Sequence, residues 1–294
     1  MSIPSLRNLL AAPEILLAPG VFDALTASIA EKAGFKAVYL SGAAVAYTRL
    51  GMPDIGLSTM TEMADTLALI RDRISLPIVI DADTGFGNAL NAQRTMRIYE
   101  RAGASALQVE DQTYPKRCGH LSDKSLISMN EMCGKIKAMA DARASEETLI
   151  IGRTDAIAVE GFEAALERGA AYIEAGADAL FIEAPRSIDE LRKVGEILGA
   201  RVPLMANMVE GGSTPMVPPQ QLQELGYSLV IFPGGIVRAL ARTAEDYYAS
   251  LMKTGSNTAF KERMFDFTGL NQRIGTQAMI ESGQRYDNGE KGGE

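Results

Sequence analysis

Eight short runs of apolar, mostly β-branched residues recur along this 294-residue chain at a regular interval, and that pulse constrains the fold more than any other feature. The runs cover residues 15–21, 37–41, 77–83, 106–111, 149–155, 179–183, 202–207 and 228–233. Each is continuously apolar rather than alternating, as strands covered on both faces are. Between them lie segments of helical length at 59–73, 90–101, 128–144, 161–175 and 187–198. Phe162, Ala165, Leu166 and Gly169 show the spacing of one helix face. Three intervals end in the same kind of phrase, EKAGFKAVYL, ERAGASALQV and IEAGADALFI. In each, an Ala-Gly helix stop delivers the chain into the next strand.

Eight strands alternating with helices predict an α/β fold of the (β/α)₈ TIM-barrel type. A doubly wound open sheet is the alternative, but it usually has fewer strands, and no Gly-rich dinucleotide turn follows the first run. One barrel domain over residues 1–294 is expected, with 243–294 as a helical extension outside the barrel count. A hydrophobic fraction of 47% is enough for a core of that size.

Composition removes several function classes. The net charge of −8, with no basic run of five, argues against a nucleic-acid partner. It leaves room for an anionic substrate, because a local Arg or a metal overrides the global field. No run of eighteen apolar residues exists, so no membrane span is expected. Two cysteines, Cys118 and Cys133, are too few for a disulfide framework. The N-terminus lacks a long apolar signal core. A reduced, cytoplasmic protein is the expectation.

The ends of the apolar runs are polar: Ser41-Gly42, Asp81-Ala82-Asp83, Glu110-Asp111, Arg153-Thr154-Asp155, Glu183 and Asn207. In a barrel these ends meet at the C-terminal mouth, where barrel active sites lie. Asp81 and Asp83, two apart on a strand, are expected on one side. With Glu110 they make a hard-oxygen cluster, repulsive unless protonated or metal-bound. Mg²⁺ suits such a set, and the absence of adjacent His or Cys disfavours zinc. The long connection 112–127 holds Lys116-Arg117-Cys118-Gly119-His120, with two cations, a thiol and the only histidine. Neighbouring positive charge favours a reactive thiol. A loop of this length is a candidate lid, open for entry and closed for chemistry. Cys133, inside the following helix, is read as a small core residue.

KRCGH, preceded by DADTGFGN and followed by GRTDA, resembles the isocitrate lyase and phosphoenolpyruvate mutase superfamily, in its lyase branch. SGAAVA and NMVEGGSTP match the same pattern, and the resemblance covers roughly residues 5–285. The wording NMVEGG is most similar to the 2-alkylmalate lyases, 2,3-dimethylmalate lyase and the petal death protein among them. Methylisocitrate lyase is nearly as similar, but Ala43 and the Gly211-Gly212 pair depart from its pattern. Both substrate types stay open.

The resemblance implies that Asp81, Asp83 and Glu110 hold Mg²⁺, or Mn²⁺ in its place, often through waters, with Asp54 in the outer shell. It implies that Ser41, Gly42, Ala43 and Arg153 meet one carboxylate of a small dicarboxylate or tricarboxylate. Asn207, Gly119, His120 and Thr214 meet the other, with Glu183 orienting that end. The implied reaction cleaves a carbon–carbon bond to a 2-oxo acid and a carboxylate, with Cys118 as general acid. Tyr39 is a candidate for handling the hydroxyl proton. Hydrolysis or decarboxylation of oxaloacetate on the same site is a second reading. A catalytically silent, metabolite-binding barrel is a third, of another class. A homotetramer, a dimer of dimers with helices exchanged between paired subunits, is expected from the resemblance and from apolar Phe260, Met264, Phe265, Phe267, Leu270 and Ile274 in the extension.

Overall fold

The computed structural model describes residues 3–119 and 123–287. Eight parallel strands appear among them: β1 Leu16–Val21, β2 Val38–Leu40, β3 Ile78–Asp81, β4 Ala106–Glu110, β5 Leu149–Thr154, β6 Ala179–Ile182, β7 Met205–Asn207 and β8 Leu229–Phe232. They pair in the order β6-β5-β4-β3-β2-β1-β8-β7. A parallel bridge between Leu180 and Leu204 brings β6 to the start of β7, so the barrel is nearly closed. All eight apolar runs became strands, each slightly shorter than its run.

The connecting helices are α1 Ala24–Lys32, α2 Met60–Arg71, α3 Ala89–Arg101, α4 Met129–Ala142, α5 Phe162–Glu174, α6 Ile188–Leu198, α7 Pro219–Glu224 and α8 Gly235–Thr254. Side chains fix their starts. Asp23 and Thr26 form a capping box on α1, as Thr59 and Glu62 do on α2 and Asn88 and Asn91 on α3. The repeated Ala-Gly phrase fixes the stops. Ala33, Ala102 and Ala175 close α1, α3 and α5, and the following Gly34, Gly103 and Gly176 take φ of +91°, +95° and +104°. Only glycine adopts that conformation without strain.

Two apolar layers follow from the strand faces. Outward residues such as Ile80, Leu107, Ile150 and Leu180 pack under the helices. Inward residues, among them Ala18, Val79, Ile151, Phe181 and Ile231, fill the barrel itself. The N-terminal helix Leu6–Leu10 adds Leu6 and Leu10 to that interior. Burying one leucine in this way contributes about 2 kcal/mol. The interior is thus a packed core, and the polar strand ends are left at the C-terminal rim.

The chain divides into two compact units, Met1–Val237 and Arg238–Glu294. Helix α8 runs unbroken through both Val237 and Thr243, where the sequence suggested that an extension begins. The second unit adds a 3₁₀ turn, Thr258–Arg263, and the helices Phe267–Ile274 and Thr276–Asp287. Phe260 is buried within it, its ring 5.3 Å from that of Tyr247. It is therefore not part of the apolar surface expected for it. Phe265 and Phe267 are exposed, Phe267 by 86%.

Candidate active site at the barrel mouth

Strand register assembles the site. β4 pairs with β5 so that Glu110 lies opposite Arg153, and β3 pairs with β4 so that Asp81 lies opposite Gln108. Arg153 Nη1 is 3.2 Å from Glu110 Oε2, and its Nη2 is 3.6 Å from Glu183 Oε2 on the next strand. Its Nε and Nη2 donate to Asp155 at 2.9 and 3.2 Å. The guanidinium stands 5.1 Å over the Phe181 ring. All these polar groups are buried.

Asp83 reaches the same place by a different route from the one the sequence suggested. β3 ends at Asp81, so the strand alternation does not extend to Asp83. Asp83 sits instead in a left-handed turn, with φ of +46°. Aspartate tolerates that conformation better than most side chains. Its N–H donates to Asp81 Oδ1 at 3.1 Å, and its carbonyl accepts from Glu110 N at 2.9 Å. Lys135, buried in α4, donates to the Thr84 carbonyl at 3.1 Å and ties down the same turn. The turn, not the pleat, brings the two aspartates together.

The loop after β4 is folded onto this acidic group. Its base is a short ribbon: Gln112 bridges Leu126, Thr113 N donates to Ser125 O, and Ile127 N donates to Asp111 O. Lys116 is buried between two carboxylates, 2.6 Å from Asp54 Oδ1 and 2.8 Å from Asp83 Oδ1. The second contact is an ion pair without the alignment of a hydrogen bond. Cys118 N donates to the Asp54 carbonyl at 3.2 Å. Neither cysteine is in a disulfide. Cys133 lies at the edge of the core, its Sγ 3.6 Å from the Ala171 carbonyl, and burial pushes its thiol up.

Two glycines mark where the walls approach. A Cβ on Gly42 would lie 3.0 Å from Asp81 Oδ2, and one on Gly119 would lie 2.5 Å from Arg153 Nη2. Ser41 Oγ accepts from Ala44 N at 3.2 Å and caps the short helix Gly42–Val45. That helix sets Gly42 against Asp81, with Ala43 next to it. On the far side Asn207 Nδ2 donates to Glu183 Oε2 at 3.4 Å. Thr214 and Asn207 share a small cavity behind β6 and β7. His120 lies outside the described residues.

The donor set fits a hard divalent cation. Both carboxylate oxygens of Glu110 are buried without a hydrogen-bond partner, as is Asn207 Oδ1. Buried polar atoms seldom go unsatisfied. Burial lifts the Asp83 carboxyl to about 6, with Asp81 and Asp54 adding to it and Lys116 opposing. Burial likewise holds Glu110 well above the usual carboxylate range, with Arg153 opposing. Among the described residues, no three His, Cys, Asp or Glu side chains are arranged to hold a metal ion directly. An ion that keeps much of its water shell, as Mg²⁺ does, is the one that matches.

Tyr39 stands under the acidic group. It belongs to the barrel interior, and its hydroxyl donates to Gln108 Oε1 at 2.6 Å. Burial raises its pKa well above the usual phenol value, and Asp81 adds to the effect. Gln108 Nε2 in turn faces Asp81 Oδ1 at 3.5 Å. The hydroxyl therefore meets Gln108 at the level of Asp81, on the floor of the mouth.

Sequence reasoning missed a second buried network beside the first. Asp111 accepts from Thr154 Oγ1 at 2.6 Å, Tyr172 Oη at 2.7 Å and Asp155 N at 3.0 Å. Arg168, from α5, pairs with Asp111 and with Glu160. Lys124, from the loop, is buried against Asp155 at 2.8 Å. Asp111 and Asp155 were visible as polar strand ends, but nothing in the sequence pointed to Lys124. A cavity of about 340 Å³ at the opposite rim, lined by Leu9, Ile15 and Lys36 among others, has no such convergence of charge.

The family model for phosphoenolpyruvate phosphomutase matches residues 6–252. The chain is 40% identical to the 2,3-dimethylmalate lyase of Eubacterium barkeri over 97% of its length and 98% of the relative's. It is 45% identical to a 2-methylisocitrate lyase of Aeropyrum pernix, covering 92% of this chain and 86% of that one. A solved 2,3-dimethylmalate lyase superposes with a TM-score of 0.90 at 34% identity, over 95% and 93% of the two chains. An oxaloacetate acetylhydrolase bound to 3,3-difluorooxalacetate superposes at 0.91 and 31%, over 98% and 97%. A phosphonopyruvate hydrolase complexed with oxalate and Mg²⁺ superposes at 0.86 and 30%, over 96% and 98%. No helix among the described residues is long and apolar enough to cross a membrane. The strand order, the acidic mouth and these matches agree, and the chain belongs to the phosphoenolpyruvate mutase/isocitrate lyase superfamily.

Proposed function

We propose that this protein is a Mg²⁺-dependent carbon–carbon lyase that cleaves a small 2-hydroxy-dicarboxylate, a 2-alkylmalate such as 2,3-dimethylmalate or else 2-methylisocitrate. The observation that carries this reading is the placement of the Cys118 segment over buried Asp81, Asp83, Glu110 and Arg153, in a chain whose relatives are named lyases. Asp81, Asp83 and Glu110 would hold the ion, with Asp54 behind them. When bound, Mg²⁺ supplies positive charge that favours ionisation of the substrate's 2-hydroxyl.

The chain's own residues do the rest. Arg153, with the Ser41, Gly42 and Ala43 backbone, receives the carboxylate next to the hydroxyl, since a guanidinium matches a planar carboxylate. Gly119, Thr214 and Asn207 receive the second carboxylate, and Glu183 orients Asn207 through their hydrogen bond. Cleavage sends the C2–C3 electron pair to C3, where the adjacent carboxylate stabilises the carbanion. The hydroxyl proton leaves to water at the mouth, and the C2 oxygen becomes a carbonyl. Cys118 Sγ gives its proton to C3 as general acid, and the thiolate left after proton transfer is reprotonated from water. Tyr39 acts from below, holding Gln108 against Asp81.

Steady-state assay of 2,3-dimethylmalate, citramalate, 2-methylisocitrate, isocitrate and oxaloacetate tests the proposal. One of the hydroxy acids should be split to a 2-oxo acid and a carboxylate. Oxaloacetate hydrolysis is the second reading, favoured by the similarity to an oxaloacetate acetylhydrolase. Turnover of oxaloacetate alone would select it, and turnover of none would leave a binding barrel.

The same reading includes a homotetramer. Phe265, Phe267, Leu270 and Ile274 expose apolar surface on the second unit. Surface of this kind is normally covered by another chain. Light scattering at micromolar concentration should give about four times the 31.5 kDa chain mass. A monomeric mass would reject the assembly.

A further inference from the structure

In the loop that carries Cys118, the Gln112 side chain bonds both the N–H and the carbonyl of Arg117, and Cys118 N donates to the Asp54 carbonyl. Two buried lysines also hold this loop, and only one belongs to the acidic group already described. The first is Lys116, between Asp54 and Asp83. The second is Lys124, eight residues on. Its side chain is 1% exposed, and its partner Asp155 is fully buried. Lys124 Nζ lies 2.8 Å from Asp155 Oδ1 and donates to the Gly119 carbonyl at 2.5 Å. One ammonium therefore joins Asp155, the residue just after the strand that carries Arg153, to the residue after Cys118.

Burying a lysine costs several kcal/mol unless it is paired and hydrogen-bonded. A loop that only needed to close would not require one. Its base is already fixed by the ribbon of Gln112, Thr113, Ser125 and Leu126. Lys124 acts beyond that ribbon, on the tip. Asp155 is itself fully engaged. It accepts from Arg153 Nε and Nη2, and its N–H donates to Asp111 Oδ1. Burial acts to raise its carboxyl, but Arg153 and Lys124 outweigh burial and hold it below the usual range. Asp155 thus presents a fixed anion to two cations, one facing the substrate side and one in the loop. Gly119 must approach Arg153 closely, since a Cβ there would strike its guanidinium.

We infer that Lys124, through Asp155 and the Gly119 carbonyl, is the positioning residue that sets Cys118 in register with Arg153. It touches neither substrate nor the transferred proton. The inference rests on the lyase reading only for its catalytic consequence. The placement of the thiol can be measured without any substrate.

The test uses the full chain in a Cys133→Ala background, where Cys118 is the only thiol. Alkylation of Cys118 by iodoacetamide should be about tenfold faster in Lys124→Met than in the parent, because the tip is released. On whichever hydroxy acid the parent cleaves, kcat should fall about tenfold or more, with a smaller change in KM. Lys124→Arg should recover part of both. If Lys124→Met does not fold, Lys124→Gln takes its place under the same criterion, since an amide can still reach Gly119 but cannot pair with Asp155. A purely structural lysine would lower the melting temperature and leave thiol reactivity unchanged. Equal alkylation rates in a folded variant would overturn the inference whatever the substrate. Faster alkylation with no lyase activity in the parent would leave it standing and reject the proposed reaction instead.

Discussion

Cys118→Ser should lower kcat by about 10²- to 10⁴-fold, the contribution expected of a general acid, without unfolding the protein. Serine is nearly isosteric, and Cys118 is half-buried in a loop rather than packed in the core. Its backbone N–H donates to the Asp54 carbonyl, a bond that serine keeps. What changes is the proton: a hydroxyl is a far weaker acid than a thiol. KM should move little, because the thiol makes no ground-state contact that this reading needs. Cys133→Ala is the control. That thiol sits at the edge of the core, its Sγ near the Ala171 carbonyl. Its loss should cost about 1 kcal/mol of stability and no activity. Steady-state kinetics with thermal melting of both variants decides the matter. Near-normal turnover in Cys118→Ser would end the assignment.

The barrel was legible because its signal is periodic and repeated. Eight apolar runs, and three Ala-Gly stops each needing φ > 0, over-determine the alternation of strand and helix. The carboxylates and Arg153 were legible because a barrel sends every strand end to one rim. What could not be read was geometry that depends on turns and on long-range pairing. Asp83 looked like a strand residue because Ala82 and Asp83 continue an apolar run, yet the chain turns left-handed there. Tyr39 was legible as a strand residue facing the mouth, but its bond to Gln108, and through it the link to Asp81, was not. Lys116 and Lys124 were surface-type residues in a polar loop. Only the folded chain brings each to a buried carboxylate. Phe260 was grouped with its exposed neighbours, though a 3₁₀ turn directs it inward.

Stripping divalent metal from the protein should abolish turnover, and Mg²⁺ or Mn²⁺ should restore it. The argument is electrostatic. Asp54, Asp81, Asp83 and Glu110 are all buried, and the cations nearest them are Lys116 and Arg153. Arg153 is shared with Asp155 and Glu183, so it cannot neutralise Glu110 alone. The unsatisfied oxygens of Glu110 and the raised carboxyls of Asp83 and Glu110 are what an acidic cluster shows when its charge is not fully met. A divalent ion relieves that strain, and because it binds the folded state alone it must also stabilise the fold. At a hundredfold excess over its dissociation constant the gain is about 2.7 kcal/mol. For a chain of this size that amounts to a rise of roughly 5–10 °C in melting temperature. This second readout separates binding from catalysis. Glu110→Gln should lose most of the Mg²⁺-dependent rise, whereas Cys118→Ser should keep it, since Cys118 is not among the residues that would hold the ion. Full activity after verified removal of metal, or an equal melting shift in Glu110→Gln, would show that these carboxylates do not hold the ion.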